Sequence, residues 1–358
     1  MSSLVLLINF VFEIFCMDSL TQIVLGAAVG EAVGGKKMGI KAAFWGAIAG
    51  TIPDLDVFLN GFYHPIEAAL VHRGFSHSIL FAVLFSPVFA WMLFRLYKRK
   101  YEYKTWILLF FFGIVTHPLL DVFTNYGTSL LWPSPERLSL DSVFVIDLLY
   151  TVPFLICVVV AISMKRTSLW RNRVNWIGII YSSGYLLWGV IAKYTIENKA
   201  DTYFAQSGVS VDRKMVSAMP ATTFYWTIIG ENRENYYVTY KSVFGEYKAT
   251  DLEIIPKNHQ LLDELKWKKG EEGYPELLKF ISKGYYTIER KDSLYNFYDL
   301  RFGTATKLTN GKATTPVFGF GLIVDNGIVE KTERIRNRGA FSMLNFDVYW
   351  NNIFANYE

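Results

Sequence analysis

The chain has 358 residues, room for about two domains at ~150 residues each. Apolar residues make up 52% and charged residues only 19%, which excludes a disordered chain. Net charge is +4 with no basic stripe among stacked aromatics, so nucleic acid is not an expected partner, and two cysteines in apolar runs, Cys16 and Cys157, exclude a disulfide framework.

Residues 1–16 are apolar but lack a basic start, so they do not read as a signal peptide. Met17 is the expected start, with 1–16 an extension. Residues 20–33 and 40–52 are short runs rich in glycine and alanine, which let helix backbones approach closely in a bilayer. They predict a tight helical hairpin joined at Gly34–Gly35, spanning or re-entrant. Residues 80–94, 106–123, 143–164 and 176–192 are each near the ~17–25 residues of a spanning helix. The expectation is an α-helical multi-pass membrane domain of about six helices over 17–195. From 196 to 358 the chain is polar. Residues 222–229 and 236–244 around Gly230-Glu231-Asn232 predict a hairpin, 285–289, 294–301 and 317–324 predict strands, and 261–268 and 275–282 predict helices. That is a soluble α+β domain with a mostly antiparallel sheet and no catalytic motif, suited to cover the outer mouth of a site. Its Tyr225, Trp226, Tyr236, Tyr237, Tyr240 and Trp267 read as sheet packing.

The connectors carry a strong charge bias. Lys36, Lys37 and Lys41 lie in one, Arg95, Lys98, Arg99, Lys100 and Lys104 in the next, and Lys165, Arg166, Arg171 and Arg173 in a third. The opposite connectors, 53–76 and 124–142, hold only Arg73 and Arg137. The positive-inside rule makes the first set cytoplasmic and the C-terminal domain extracytoplasmic.

Polar residues inside the apolar half carry the chemistry. His64, His72, His77 and His117 lie there with Asp54, Asp56, Asp121 and Asp147. Ionisable groups in or beside membrane spans are costly and mark function. Pro53 places Asp54 and Asp56 at the outer end of the second helix. Ser76 reads as an N-cap with His77 at the helix start, and Gly74 lets His72 turn towards it. His117 and Asp121 are i, i+4 on one helix face, with Pro118 between them to kink it. Asp147 falls near the start of the fifth helix. At ~1.5 Å per residue all lie within about 10 Å of the outer boundary. A mixed imidazole and carboxylate set suits zinc, manganese or iron, with one or two ions. The expected ligands are Asp54, His72, His77, His117 and Asp121. Asp56 or Asp147 is the expected general base or orienter, and Arg73 the anion clamp. Asp147 could instead pair with Arg73 or Arg137. His64 beside Pro65 reads as a loop residue.

Four blocks resemble the YdjM-like family of membrane-bound metal-dependent hydrolases: Met17-Asp18-Ser19-Leu20-Thr21-Gln22, Pro53-Asp54-Leu55-Asp56, His72-Arg73-Gly74-Phe75-Ser76-His77-Ser78 and His117-Pro118-Leu119-Leu120-Asp121. Tyr126-Gly127, Leu131-Trp132-Pro133 and Ile146-Asp147 also fit, and the resemblance covers about 17–165. It implies a bacterial inner-membrane hydrolase with a metal site similar to that of zinc-dependent phospholipases C. Many members carry histidine where this chain has Gln22, a poor ligand for a transition metal; Asp18 is a further carboxylate. The expected function is metal-activated hydrolysis of a phosphoester, lipid or lipid-linked, at the outer boundary. The alternative is a transporter or metal-ion channel using the same His/Asp cluster. The inner halves of two helices, 107–112 and 151–162, lack charge, which favours a one-sided site.

Overall fold

A computed structural model describes residues 17–245, 252–304, 316–336 and 346–354. The extension 1–16 lies outside them. The chain forms two compact units: residues 1–59, 71–189 and 220–222, and residues 60–70, 190–219 and 223–358.

The first unit is helical, with α1 (Met17–Met38), α2 (Ile40–Thr51), a 3-10 helix (Pro53–Phe62) that leads out of it, α4 (Ile79–Leu96), α5 (Tyr103–Asp121), α6 (Leu148–Ser163) and the first part of α7 (Leu169–Gln206). Among the described residues, four helical segments are long and apolar enough to cross a membrane: Ile40–Phe62, Ile79–Leu96, Tyr103–Asp121 and Leu169–Gln206. Leu148–Ser163 is a shorter apolar helix. With α1 this roughly fits the six expected.

The hairpin bends at Gly39, not at Gly34–Gly35. Helix α1 runs on through those two glycines, because Ala42 and Met38 crowd Gly34 and the Glu31 carboxylate crowds Gly35. Gly39 has φ +64°, a backbone state open to glycine. Glycines then set the closeness of α1 and α2. A methyl group at Gly26 would overlap the carbonyl of Gly46, and one at Gly30 that of Ala42. The basic connectors share one end of this unit. Lys37 pairs with Glu102 at 2.8 Å, Lys41 lies 5.1 Å from the Tyr97 ring, and Arg166 packs beside Gly39.

Helix α7 has 38 residues, which at ~1.5 Å each is about 57 Å, against ~30 Å of bilayer hydrocarbon. It therefore continues past the apolar run that predicted it.

Among the described residues, the second unit holds two four-stranded antiparallel sheets where one was expected. The first is β1 (Arg213–Ala218), β2 (Tyr225–Glu231), β3 (Asn235–Ser242) and β4 (Glu253–Pro256); the second is β5 (Tyr286–Lys291), β6 (Leu294–Thr304), β7 (Pro316–Asp325) and β8 (Ile328–Arg336). Each is in sequence order. The predicted hairpin turns at Asn232, whose Oδ1 accepts the amides of Glu234 and Asn235, while Gly230 and Glu231 stay in the strand. The core contains Ile66, Leu278, Ile288, Phe297 and Leu322, so α3 (Pro65–Val71) contributes to it from far upstream. Helix α8 (Gln260–Asp263) is shorter than the expected 261–268, because Lys266 bonds as a strand to Gly327 and Val329. Helices α9 (Tyr274–Ile281) and α10 (Phe346–Phe354) complete the unit.

Candidate metal centre

Pro53 has no N–H and helps end α2, so carbonyls in its last turn need other donors. The Gly50 carbonyl takes Nδ1–H of His117, 2.5 Å away on α5. A carbonyl can only accept, so His117 Nδ1 carries the proton and its Nε2 presents a lone pair. His77 behaves alike. Its Nδ1 faces Ser76 Oγ at 3.0 Å and Asp56 Oδ2 at 3.3 Å, and Ser76 gives its own proton to Asp56 Oδ2 at 2.7 Å. The Nδ1 proton of His77 points at this pair, which leaves its Nε2 as a second lone pair.

These two nitrogens lie 3.2 Å apart. Asp54 Oδ1 is 3.3 Å from each, and Asp121 Oδ2 is 3.5 Å from His77 Nε2 and 3.6 Å from His117 Nε2. Asp54 Oδ1 and Asp121 Oδ2 thus both face the point shared by the two histidine nitrogens. Asp121 Oδ2 is buried without any hydrogen-bond donor. A buried acceptor left unsatisfied costs roughly 1–3 kcal/mol, and more when charged. A cation at the common point removes that cost. Zinc–donor distances of ~2.0–2.1 Å place tetrahedral ligands ~3.3–3.4 Å apart. The Asp54, His77 and His117 separations agree with that edge, and these three form a group that could hold a metal ion, with Asp121 Oδ2 facing both histidine nitrogens.

Outer contacts hold these ligands. Gln22 Nε2 donates to Asp121 Oδ1 at 3.0 Å and to the His117 carbonyl at 3.3 Å. Asp56 accepts from Ser76, from His72 Nδ1 at 2.8 Å and from the Arg73 amide at 3.4 Å, and its Oδ2 faces His77 Nδ1. Asp56, His72 and His77 also bring donor atoms within 4.8 Å of one another. The 2.8 Å His72–Asp56 separation is a hydrogen-bond length, shorter than a tetrahedral edge.

The Arg73 guanidinium, only 2% exposed, bonds Thr124 Oγ1 at 2.7 Å, lies 3.6 Å from Asp121 Oδ1 and stacks on Tyr126 at 4.9 Å. Residue 73 has φ +62°. Its carbonyl accepts from Ser129, and the Ile79 amide donates to Leu130, so the loop after α5 is stitched to the His72–His77 stretch. The side chains of Asp54 and His72 are 22% and 27% exposed, while those of Asp56, His77, His117 and Asp121 are nearly sealed. The centre therefore opens on the Asp54–His72 side.

Three expectations shift. Ser78, not Ser76, caps α4, accepting from Phe81 at 3.0 Å, and Ser76 is thereby freed to bond Asp56. Asp147 does not join the other carboxylates. It caps α6, accepting the Tyr150 amide at 2.9 Å and Tyr185 Oη at 3.0 and 2.9 Å, and it pairs with neither Arg73 nor Arg137. His64 belongs to the second unit, where its ring stacks on Tyr274 at 4.3 Å. Sequence reasoning missed Gln22, Ser76 and Thr124 as members of the site. A neutral polar residue in an apolar run is a weaker signal than a charge; the pointers were the family histidine at position 22 and the i, i+3 step from Asp121 to Thr124.

The comparisons with known proteins point to one family over the stretch that carries these residues. The model of the YdjM inner membrane protein family matches residues 17–196. The inner membrane protein YbcI of Escherichia coli (strain K12) is 31% identical over 121 residues, which is 33% of this chain and 69% of that protein. The uncharacterized protein YfhP of Bacillus subtilis (strain 168) is 27% identical over 128 residues, 34% of this chain and 38% of that protein. No solved structure matches. All six of the clustered His and Asp residues lie in the matched stretch, and the chain belongs to the YdjM inner membrane protein family.

Proposed function

We propose that this protein is a metal-dependent hydrolase of the inner membrane that cleaves a phosphoester on a lipid or lipid-linked substrate at the outer boundary. One observation carries the reading: the donor atoms of Asp54, His77 and His117 converge as a metal-ligand group beside a buried Asp121 carboxylate oxygen without a donor. Asp54, His77, His117 and Asp121 would hold the ion, preferably zinc; Mn²⁺ and Fe²⁺ suit the donors less well because they favour more ligands. When bound, such an ion supplies Lewis acidity towards a phosphoryl oxygen and brings the acidity of water towards neutral pH.

The chain's own groups supply the rest. Asp56 holds the Nδ1 proton of His72, so Nε2 of that half-exposed ring is the acceptor at the open side. As water attacks phosphorus, its proton passes to His72 Nε2, the bond from phosphorus to the leaving oxygen breaks, and the proton returns to that oxygen. Asp56 is then the orienter, and His72 a base where the sequence suggested a ligand. A lipid substrate is supported by an apolar ledge that begins three residues after His72: Phe75 and Trp132 meet edge to face at 4.9 Å, and both are exposed with Leu131. The shared end of the three basic connectors supports a cytoplasmic placement for them. The clustered residues, at the other ends of these helices, are then extracytoplasmic, as is the C-terminal unit that follows α7.

The test is elemental analysis of the full-length protein purified in detergent, followed by release of phosphate or phospho-headgroup from defined phospholipids in mixed micelles. Stoichiometric zinc with metal-dependent cleavage is expected, and His72→Gln should keep zinc and lose cleavage. A wild-type protein that holds no divalent metal after purification and after zinc addition would end the proposal.

A further inference from the structure

Arg73 was the natural anion clamp on sequence, since a planar guanidinium suits a phosphate. Its position argues against that role. It is sealed on the closed side of the centre, where one nitrogen bonds Thr124 and another lies 3.6 Å from Asp121. The open side is defined by Asp54 and His72. A second arginine stands there. Arg137 is half-buried on the loop after α5, and its Nη2 donates to the backbone carbonyl of His72 at 3.2 Å. The loop is held in place at three points. Thr128 and Leu138 form a bridge, Ser129 donates to the Arg73 carbonyl, and Arg137 Cβ packs so closely on Gly127 (φ +84°) that a side chain there would press on it. The guanidinium is thus fixed on the backbone of His72, whose ring stands at the open side, and on the same loop as Trp132.

We infer that Arg137, positioned by the His72 carbonyl, is the residue that binds the phosphate group of the substrate, and that Arg73 instead buttresses Asp121. The inference rests on the metal-hydrolase reading of the same centre. It assigns to the mouth one cation, two half-exposed groups of the site and an apolar edge, which together match a phosphate joined to a lipid. The recognised chemistry is the phosphate itself, from a lipid headgroup or from solution.

The test uses the zinc-loaded, full-length protein in detergent. Inorganic phosphate is titrated in one arm and phosphatidic acid in mixed micelles in the other. Arg137→Ala should weaken binding ~10-fold or more, the scale of a lost charge-assisted hydrogen bond. Arg137→Lys should recover part of it, because the charge remains and the fork is lost. Zinc content and thermal unfolding should match wild type for both. Arg73→Ala should instead lower zinc retention and thermal stability. Dependence on Arg137 in the lipid arm alone identifies a lipid source, and dependence in both arms a phosphate of either source. Wild-type affinity in Arg137→Ala, with zinc bound, overturns the clamp and leaves the metal reading standing. A zinc-loaded wild type that binds neither probe overturns both the clamp and the phosphoester reading. Absence of zinc from the wild type overturns the centre itself.

Discussion

Asp121→Asn isolates the one proposed ligand with a buried oxygen that lacks a hydrogen-bond donor. Asn has the same shape. Its amide oxygen can still accept from Gln22 Nε2, the bond that holds Asp121 Oδ1 at 3.0 Å. Its amide nitrogen then falls where Oδ2 now faces the two histidine lone pairs, at 3.5 and 3.6 Å. That nitrogen donates to one of them, so the apo fold should survive. The ion loses an anionic donor and meets an N–H in its place. Loss of an outer partner of a metal ligand already costs ~10–100-fold in affinity, so loss of a direct donor should cost at least ~100-fold. The consequence for stability follows from linkage. Zinc at 100 times its dissociation constant stabilises the folded state by ~2.7 kcal/mol. Weakened 100-fold, the same zinc concentration equals the dissociation constant and contributes only ~0.4 kcal/mol.

The measurement is thermal unfolding in detergent with and without that zinc concentration, paired with zinc content after gel filtration. Wild type should gain several degrees on zinc addition, and Asp121→Asn almost none, while both elute as single species. If Asp121→Asn keeps zinc at wild-type affinity and shows the full thermal shift, Asp121 is a helix-end polar residue and the tetrahedral reading fails.

Gln22→Ala removes the donor to Asp121 but no ligand, so zinc affinity should fall within the smaller ~10–100-fold range, read by competition with a chelating dye. Asp147→Asn keeps an N-cap for α6 and should leave zinc content and elution at wild-type level, whereas loss of zinc would make Asp147 a member of the centre. A C-terminal alkaline phosphatase fusion should be active, and one in the loop at Lys98–Lys100 inactive, and the reverse pattern would invert the proposed topology.

The layer of histidines and aspartates was legible because charge in an apolar run is expensive and few such residues are present. Their local geometry was less so. Ser76 and Ser78 both fit an N-cap, and only the way Asp56 folds back over Ser76 separates them. The hairpin bend was misplaced because paired glycines suggest a turn, whereas Gly34 and Gly35 serve close packing inside a helix. In the second unit, β1 and β8 escaped notice because Arg213–Ala218 and Ile328–Arg336 are rich in charged residues and lack a clean alternation. Ile66 gives no sign in sequence that it packs with Leu278 and Phe297, more than two hundred residues away. Such long-range partners are set by tertiary packing, which local patterns do not encode.

The choice between hydrolase and transporter was first argued from charge-free inner halves of two helices. The structure adds a charge that those segments do not contain. Glu31 on α1 and Arg171 on α7 form a buried bidentate pair, 2.6 Å at each contact, nearer the basic end of the unit. A transit path needs such groups to exchange partners. This pair is built against exchange. Arg171 Nη1 also satisfies carbonyls at the end of α6, Met164 at 2.9 Å and Ile162 at 3.4 Å. An apolar cluster with Val24, Ala28, Phe154 and Val158 packs between the same three helices. The pair thus acts as a lock on helix packing, and breaking a buried pair from one side costs ~3–5 kcal/mol because the other charge stays buried. Glu31→Gln should accordingly lower thermal stability strongly while zinc content at the centre stays at wild-type level. A transit role makes the opposite prediction, with stability nearly unchanged and metal flux into proteoliposomes abolished. Wild-type proteoliposomes that carry zinc flux sensitive to Glu31→Gln would move the reading from hydrolase to transporter, because a one-sided hydrolytic centre has no use for a carboxylate at the far end of α1.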